Sequence, residues 1–231
     1  MDRRDFVKLA SGLLVPAAMA NSLPASAARS SVISKLPESK TKRIAWTVDD
    51  GISADSIKAY LAFAAGHYVK MTFFVTSGYP GWKTNEPRIR DLISKGLLQI
   101  ANHTTHHKNL TEISAQQVKN ELSNCHKYIE DAFGVDARPY YRPPFGAYNP
   151  TVLAAAADLG YTKAVIWSGS VVDTAAHPNS QRILRHAKQA MKDTRIVLSH
   201  ANHMETPKAF PQIYDILRKR RLNLVRLDEV I

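Results

Sequence analysis

Arg43-Ile44-Ala45-Trp46-Thr47-Val48-Asp49-Asp50-Gly51 reads as a strand that runs straight into two carboxylates. Ile44, Trp46 and Val48 alternate along one side of the run, the period of a strand. The two aspartates and a glycine end it, and Ser53 then serves as N-cap for a helix to about Ala65.

The same order recurs down the chain. Met71 to Thr76 is continuously apolar, as suits a strand covered on both faces. A helix from Glu86 to Lys95 follows, stopped by Gly96. Leu97 to Ala101 is a third strand, and Ser114 to Phe133 a long helix with Ile113 and Val118 at staple spacing. Pro139 to Arg142, Tyr161 to Trp167, Arg195 to Ser199 and Leu222 to Leu227 are the remaining strands. Helices over Pro150 to Leu159, Asn179 to Lys192 and Pro207 to Arg220 lie between them. Seven such alternations argue for an α/β fold with parallel strands. An open doubly wound sheet and a closed barrel both satisfy the pattern.

The chain has 231 residues, 45% hydrophobic and 22% charged, which suits one domain with a full core. Its single cysteine, Cys125, excludes an intrachain disulfide and a cysteine zinc cluster. Any metal site must therefore use histidines and carboxylates. Lys and Arg number 31 against 20 Asp and Glu, a net charge of +11. The cations are spread out, apart from Arg218-Lys219-Arg220-Arg221. That run ends a helix, where cations suit the dipole, so a solvated helix end is preferred and no nucleic-acid partner is expected.

Residues 1–28 read as an export signal. Asp2-Arg3-Arg4-Asp5-Phe6-Val7-Lys8 precedes a mildly apolar stretch from Leu9 to Ala20, then Ala18-Met19-Ala20 and Ala25-Ser26-Ala27 as small-residue cleavage sites. The apolar stretch is too short for a stable membrane anchor, and no integral membrane segment is expected in the mature chain. Arg3-Arg4 with Phe6 and Lys8 resembles a twin-arginine signal, with Asp2 where Ser or Thr is usual. An ordinary secretory signal is the alternative. Either places the protein outside the cytoplasm, in the periplasm or secreted. Removing this segment leaves the net charge at +10, so the basic character belongs to the domain. Residues 29–42 are polar, contain Pro37 and read as a linker; residues 43–231 form the catalytic domain.

Chemistry-bearing residues follow the strands: Asp49-Asp50 after the first, His103 to His107 after the third, Arg142 after the fourth, Asp173 beyond the fifth, His200 after the sixth. In an α/β barrel all these strand ends open on one face. Five of them carrying titratable groups argue against mere loop capping. His103 and His107 are four apart and share a face if their segment is helical. With Asp50 or Asp49 they make a two-histidine, one-carboxylate set with open positions. His106 points away from that face. Zinc is the default divalent ion; cobalt, nickel or manganese also suit such donors. The other carboxylate can act as general base, and His200 can protonate a leaving amine. The reaction class is metal-assisted hydrolysis of an amide or ester.

These residues resemble the polysaccharide deacetylase family, also known as the NodB homology domain or carbohydrate esterase family 4, over residues 43–231. Thr47-Val48-Asp49-Asp50-Gly51, His103-Thr104-Thr105-His106-His107, Arg142-Pro143-Pro144-Phe145-Gly146 and Leu198-Ser199-His200 match its first, second, third and fifth motifs. The resemblance implies a distorted (β/α) barrel of about seven strands. It implies Asp49 as general base, Asp50, His103 and His107 as metal ligands, Arg142 as orienter of Asp49, the Phe145 N–H as an oxyanion donor and His200 as general acid. It also implies that Asp173 pairs with Arg142 and tunes His200. The fourth motif departs: Ser170 and Thr174 stand where the family commonly has aspartate and an aromatic residue. Trp167 reads as core packing. The implied substrate is an N-acetylglucosamine glycan such as peptidoglycan, a chitin-like polymer or poly-N-acetylglucosamine, with Tyr79, Trp82 and Tyr148 as candidate sugar-stacking residues. Hydrolysis of a small amide, cyclic imide or N-formyl sugar, and non-catalytic glycan binding, are the alternatives.

Overall fold

The computed structural model describes residues 29–231 apart from Ala176, so the expected export signal lies outside the described residues. The strands are β1 (Ser31–Ile33), β2 (Arg43–Asp50), β3 (Met71–Val75), β4 (Leu98–Asn102), β5 (Tyr140–Tyr141), β6 (Lys163–Val165), β7 (Gly169–Ser170), β8 (Ile196–His200) and β9 (Asn223–Leu224). The helices are α1 (Ala54–His67), α2 (Glu86–Ser94), α3 (Ala115–Phe133), α4 (Pro150–Ala157), α5 (Ser180–Ala190), α6 (Glu205–Lys208) and α7 (Phe210–Arg220). The strands pair in parallel in the order β1-β6-β5-β4-β3-β2-β8-β7, with β9 beside the start of β2. The sheet curls back on itself: the run from β6 into β7 pairs with β5 and β1 at its start and with β8 at its end. This is the distorted barrel.

Alternation along the strands builds two cores. Ile44, Trp46 and Val48 face outward with Phe73, Val75 and Val197 and meet the helices. Ala45, Phe74, Ala101, Tyr140, Val165 and Ile196 fill the narrow interior with Leu36 and Leu227. The helices start where short polar side chains cap them. Ser53 accepts from the Ser56 N–H, and Asn149 and Asn179 cap α4 and α5 in the same way. Ser114 forms a full capping box with Gln117.

Three expectations need correction. Residues 29–42 are not simply a linker. β1 pairs with β6, Lys35 bridges antiparallel to Arg195, and the Leu36 N–H donates to the Thr194 carbonyl. The segment fills the seam of the barrel and buries Leu36; its apolar content is too small to show a period. The helix expected over Pro207 to Arg220 is split at Ala209 into α6 and α7. Pro211 has no N–H and its ring would clash with the Pro207 carbonyl one turn back. The last strand stops at Leu224, because Leu227 and Asp228 turn under the barrel to donate to Thr72 and Gln99.

Leu36→Ala is expected to lower stability by ~2–5 kcal/mol, the usual cost of emptying a buried leucine site. Urea unfolding checks this; an unchanged midpoint would return the segment to the status of a linker.

Candidate active site

Sheet register gathers the functional strand ends. Asp49 sits opposite His200, Asp50 opposite Val75, Val75 opposite Asn102 and Asn102 opposite Tyr141. Neighbouring strands lie about 4.8 Å apart, so Asp49, Asp50, His103, Arg142 and His200 meet at one rim.

Asp49 and Thr47 point into the barrel, where Arg142 is fully buried. Arg142 Nη1 donates to Asp49 Oδ1 (2.5 Å) and Thr47 Oγ1 (2.9 Å), and Nε donates to the Val165 carbonyl. The guanidinium lies over the Phe74 ring at 4.0 Å. Burial pushes the Arg142 pKa below its usual value, against the pull of Asp49. Arg142 has no ion pair with Asp173 among the described residues, which corrects that expectation.

Asp50 faces the two histidines. Its Oδ1 lies 3.5 Å from His103 Nε2 and 3.3 Å from His107 Nε2. Its Oδ2 accepts from Asn202 Nδ2 at 2.7 Å. One donor atom from each of Asp50, His103 and His107 falls within 4.8 Å of the others. Two details fit this trio to a divalent cation. Buried Asp50 Oδ1 has no hydrogen-bond partner, an orphan that a cation would satisfy. His103 Nδ1 lies 2.7 Å from the Arg142 carbonyl, which can only accept, so Nδ1 carries the proton and Nε2 offers a lone pair. Burial and the neighbouring His103 push the His107 pKa down, favouring the neutral imidazole that ligation needs.

The histidines do not meet as helix neighbours. His103 ends β4, and Thr104 and His107 take left-handed backbone angles, φ 69° and 54°. This irregular turn, rather than a helical face, brings the rings to 4.9 Å. Glu121 on α3 holds the turn. It accepts from the backbone N–H groups of Thr105 and His106 and from His106 Nδ1. His106 therefore turns away from the trio, as expected.

Opposite the trio, His200 Nδ1 bonds Asp173 Oδ1 at 2.7 Å and the His200 N–H donates to Oδ2. Thr206 also donates to Asp173, and His203 Nε2 donates to its carbonyl. Burial pushes the His200 pKa down, but the Asp173 hydrogen bond and charge win and raise it to about 9. Burial likewise raises Asp173, and His200 reverses this to leave it below the carboxylate range. At Ser170, where the family commonly has aspartate, Oγ accepts the Val172 N–H.

Phe145 sits at φ 60°, and the turn's own bonds, Gly146 N–H to the Pro143 carbonyl and Ala147 N–H to the Pro144 carbonyl, do not use its N–H. Its ring is exposed, 4.7 Å from that of His107. Gly146 is required there, because a Cβ would lie 2.9 Å from the Trp167 ring. Trp167 is core packing, as expected, partly buried against the interior cluster. Trp82 is fully buried beneath Gly51 and donates to the Thr76 carbonyl, so it does not stack on sugar. Tyr79 stays at the rim, stacked 6.4 Å from His107.

Sequence reading missed Asn202, Thr206, His203 and Glu121. The first two reveal their roles only through contacts with Asp50 and Asp173. For His203, its place three residues after His200 of the fifth motif was the one visible signal.

Fold and rim together define an α/β-barrel hydrolase site built on two carboxylates, paired histidines and a buried arginine. The polysaccharide deacetylase family model matches residues 37–164, more than half of the chain, and the chain belongs to that family. It is 29% identical to the peptidoglycan-N-acetylmuramic acid deacetylase PdaA of Bacillus subtilis over 201 residues, covering 85% of this chain and 74% of that protein. It is 31% identical to a chitooligosaccharide deacetylase of Bradyrhizobium sp. over 163 residues, covering 70% of this chain and 72% of that one. Among solved structures, a carbohydrate esterase family 4 pseudoenzyme of Bacillus anthracis has a TM-score of 0.75 at 20% identity, over 87% of this chain and 68% of its own, a likeness of fold alone.

The His200–Asp173 pair predicts a measurable titration. In metal-free protein His200 should stay imidazolium up to pH about 9, and Asp173→Asn should bring it down toward the ordinary histidine value. The raised folded-state pKa adds stability that is complete below the unfolded value of about 6.5 and is lost as pH rises through the folded one. NMR of the imidazole resonances reads this directly; an ordinary His200 pKa in the parent would refute the coupling.

Proposed function

We propose that the protein is a metal-dependent hydrolase that removes N-acetyl groups from N-acetylglucosamine-containing glycan. The observation that carries this reading is the division of labour at the end of β2. Asp49 is clamped by Arg142, while Asp50 presents an unpartnered oxygen to two histidines.

Asp50, His103 and His107 would hold the cation. A divalent ion there supplies Lewis acidity, which acidifies water and polarises the acyl oxygen. Asp49, fixed through Oδ1, accepts the proton of the attacking water. As the carbonyl becomes tetrahedral, the Phe145 N–H donates to the developing oxyanion. His200, held by Asp173 through Nδ1, gives the Nε2 proton to the leaving nitrogen. The C–N bond breaks, releasing acetate and a free amine. Zinc is the default occupant, with cobalt, nickel and manganese compatible with the donors.

The glycan reading draws on the relatives, which are named for N-acetylmuramic acid in peptidoglycan and for chitooligosaccharides. The shared chemistry is the N-acetyl amide of a hexosamine. Ile52, Phe145, Tyr148 and Met204 are exposed on the loops after β2, β5 and β8, an apolar rim on which sugar faces can lie. Non-catalytic glycan binding is the second reading; a neighbour of the same fold is named a pseudoenzyme. Asp49, Arg142, Asp173 and His200 support the catalytic one.

The test is mass spectrometry of peptidoglycan and N-acetylglucosamine oligomers incubated with zinc-loaded protein. Loss of acetyl groups is expected. Asp49→Asn should cut the rate about 10²–10⁴-fold with metal retained, and His103→Ala should lose the metal. Formate release instead would support the N-formyl alternative; no product from any glycan would support the non-catalytic one. The twin-arginine-like start supports the further proposal that this activity lies outside the cytoplasm. Arg3 and Arg4 changed to Lys should stop export, and undisturbed export would indicate the general secretory route.

A further inference from the structure

The basic run at the end of α7 does not simply fan into solvent. Lys219, Arg220 and Arg221 meet Lys42 and Lys192 in one cleft of about 630 Å³. The cations come from three stretches distant in sequence, the approach to β2 and the ends of α5 and α7. Helix dipoles account for cations at the two helix ends. They do not account for Lys42, which precedes a strand.

None of the five pairs with a carboxylate among the described residues, although Lys70, Lys95, Lys119, Lys127 and Lys208 elsewhere each do. Asp193 is the one acid in the lining, and its Oδ1 accepts the backbone N–H groups of Arg43 and Thr194. Arg220 donates to the Met191 carbonyl. The fold therefore gathers five cations around a single carboxylate that forms no ion pair with any of them, which focuses a positive potential there.

We propose that this cleft binds an extended polymer carrying a phosphate on each repeat, of the poly(glycerol phosphate) kind, and so moors the enzyme to the surface that bears its glycan. The proposal rests on the deacetylase reading above. Several unpaired cations exceed what one small anion neutralises, which favours a polymer. No aromatic side chain lines the cleft, so it lacks the stacking platforms with which single-stranded nucleic acid is held. None of the exposed large hydrophobic residues lies there either, so it lacks the apolar face that seats on a lipid surface.

The cleft lies at the strand starts, and the reacting groups at the strand ends. The eight residues of β2 separate the two by roughly 25 Å. The bound polymer cannot touch the reacting amide. It raises the local concentration of glycan instead, lowering KM on polymer-bearing substrate and leaving neutral oligomers unaffected.

The test compares the full chain with Lys42→Gln/Lys192→Gln/Lys219→Gln/Arg221→Gln, four exposed positions whose circular dichroism and melting should match the parent. Fluorescence anisotropy is read with labelled poly(glycerol phosphate), with duplex DNA and with vesicles of equal parts phosphatidylcholine and phosphatidylglycerol. Expected are at least about tenfold weaker polymer binding by the variant and a logarithmic salt slope shallower by roughly 3, near 0.7 for each lost contact. Turnover of neutral chitooligosaccharides should be equal in both. Polymer binding unchanged in the variant would overturn the proposal, as would tighter capture of DNA or vesicles by the parent. Cation-dependent polymer binding by a protein that deacetylates no glycan would uphold the cleft and sink the enzymatic reading instead.

Discussion

Two adjacent carboxylates at the end of one buried strand repel each other and cannot both lie unpaired in a protein interior. The structure resolves this by sending them to different partners. Period two turns Asp49 into the barrel, onto the buried guanidinium of Arg142. Asp50 then adopts φ 73°, a left-handed angle that aspartate tolerates better than most residues. That turn brings its carboxylate to Asn202 on one side and the two histidines on the other. Much else at the rim serves this separation. Thr47 and the Val165 carbonyl hold Arg142, whose own carbonyl fixes the tautomer of His103. One buried residue thus links Asp49 and the barrel interior, through its side chain, to His103, through its backbone carbonyl.

Backbone strain marks the same place. Among the described residues, eight other than glycine have positive φ, and five of them, Asp50, Thr104, His107, Phe145 and Val172, stand on the rim loops. Thr104 and Val172 are β-branched, for which this region is unusual. Such angles persist only where surrounding contacts over-determine them. Glu121 does this beneath the histidine turn, and Ser170 beside Val172. The serine offers one acceptor to the backbone ahead of Asp173, so the altered fourth motif still delivers its remaining aspartate to His200.

Much of this was legible in the chain. Strong alternation at Ile44, Trp46 and Val48, and the continuous apolar run from Met71, announced β2 and β3, because burial dictates those patterns. β1 and β7 were not legible: three and two residues cannot display a period, and both exist only through pairing with β6 and β8. Asp49, Asp50, His103, His107, Arg142, Asp173 and His200 were nameable from strand-end chemistry and motif resemblance. How they meet was not. The helical face proposed for His103 and His107 gave way to a strained turn, and the Asp173–Arg142 pair to separate Asp173–His200 and Asp49–Arg142 pairs. Spacing in sequence carries the identity of polar residues well but their partners poorly, since long-range hydrogen bonds are set by sheet register.

The most direct measurement is anomalous X-ray diffraction from crystals of the zinc-loaded protein. The account predicts one zinc peak bonded to Asp50 Oδ1, His103 Nε2 and His107 Nε2, with Asp49 outside the coordination shell on Arg142. A zinc ion seated elsewhere, or these three side chains turned away from a shared ion, would contradict it.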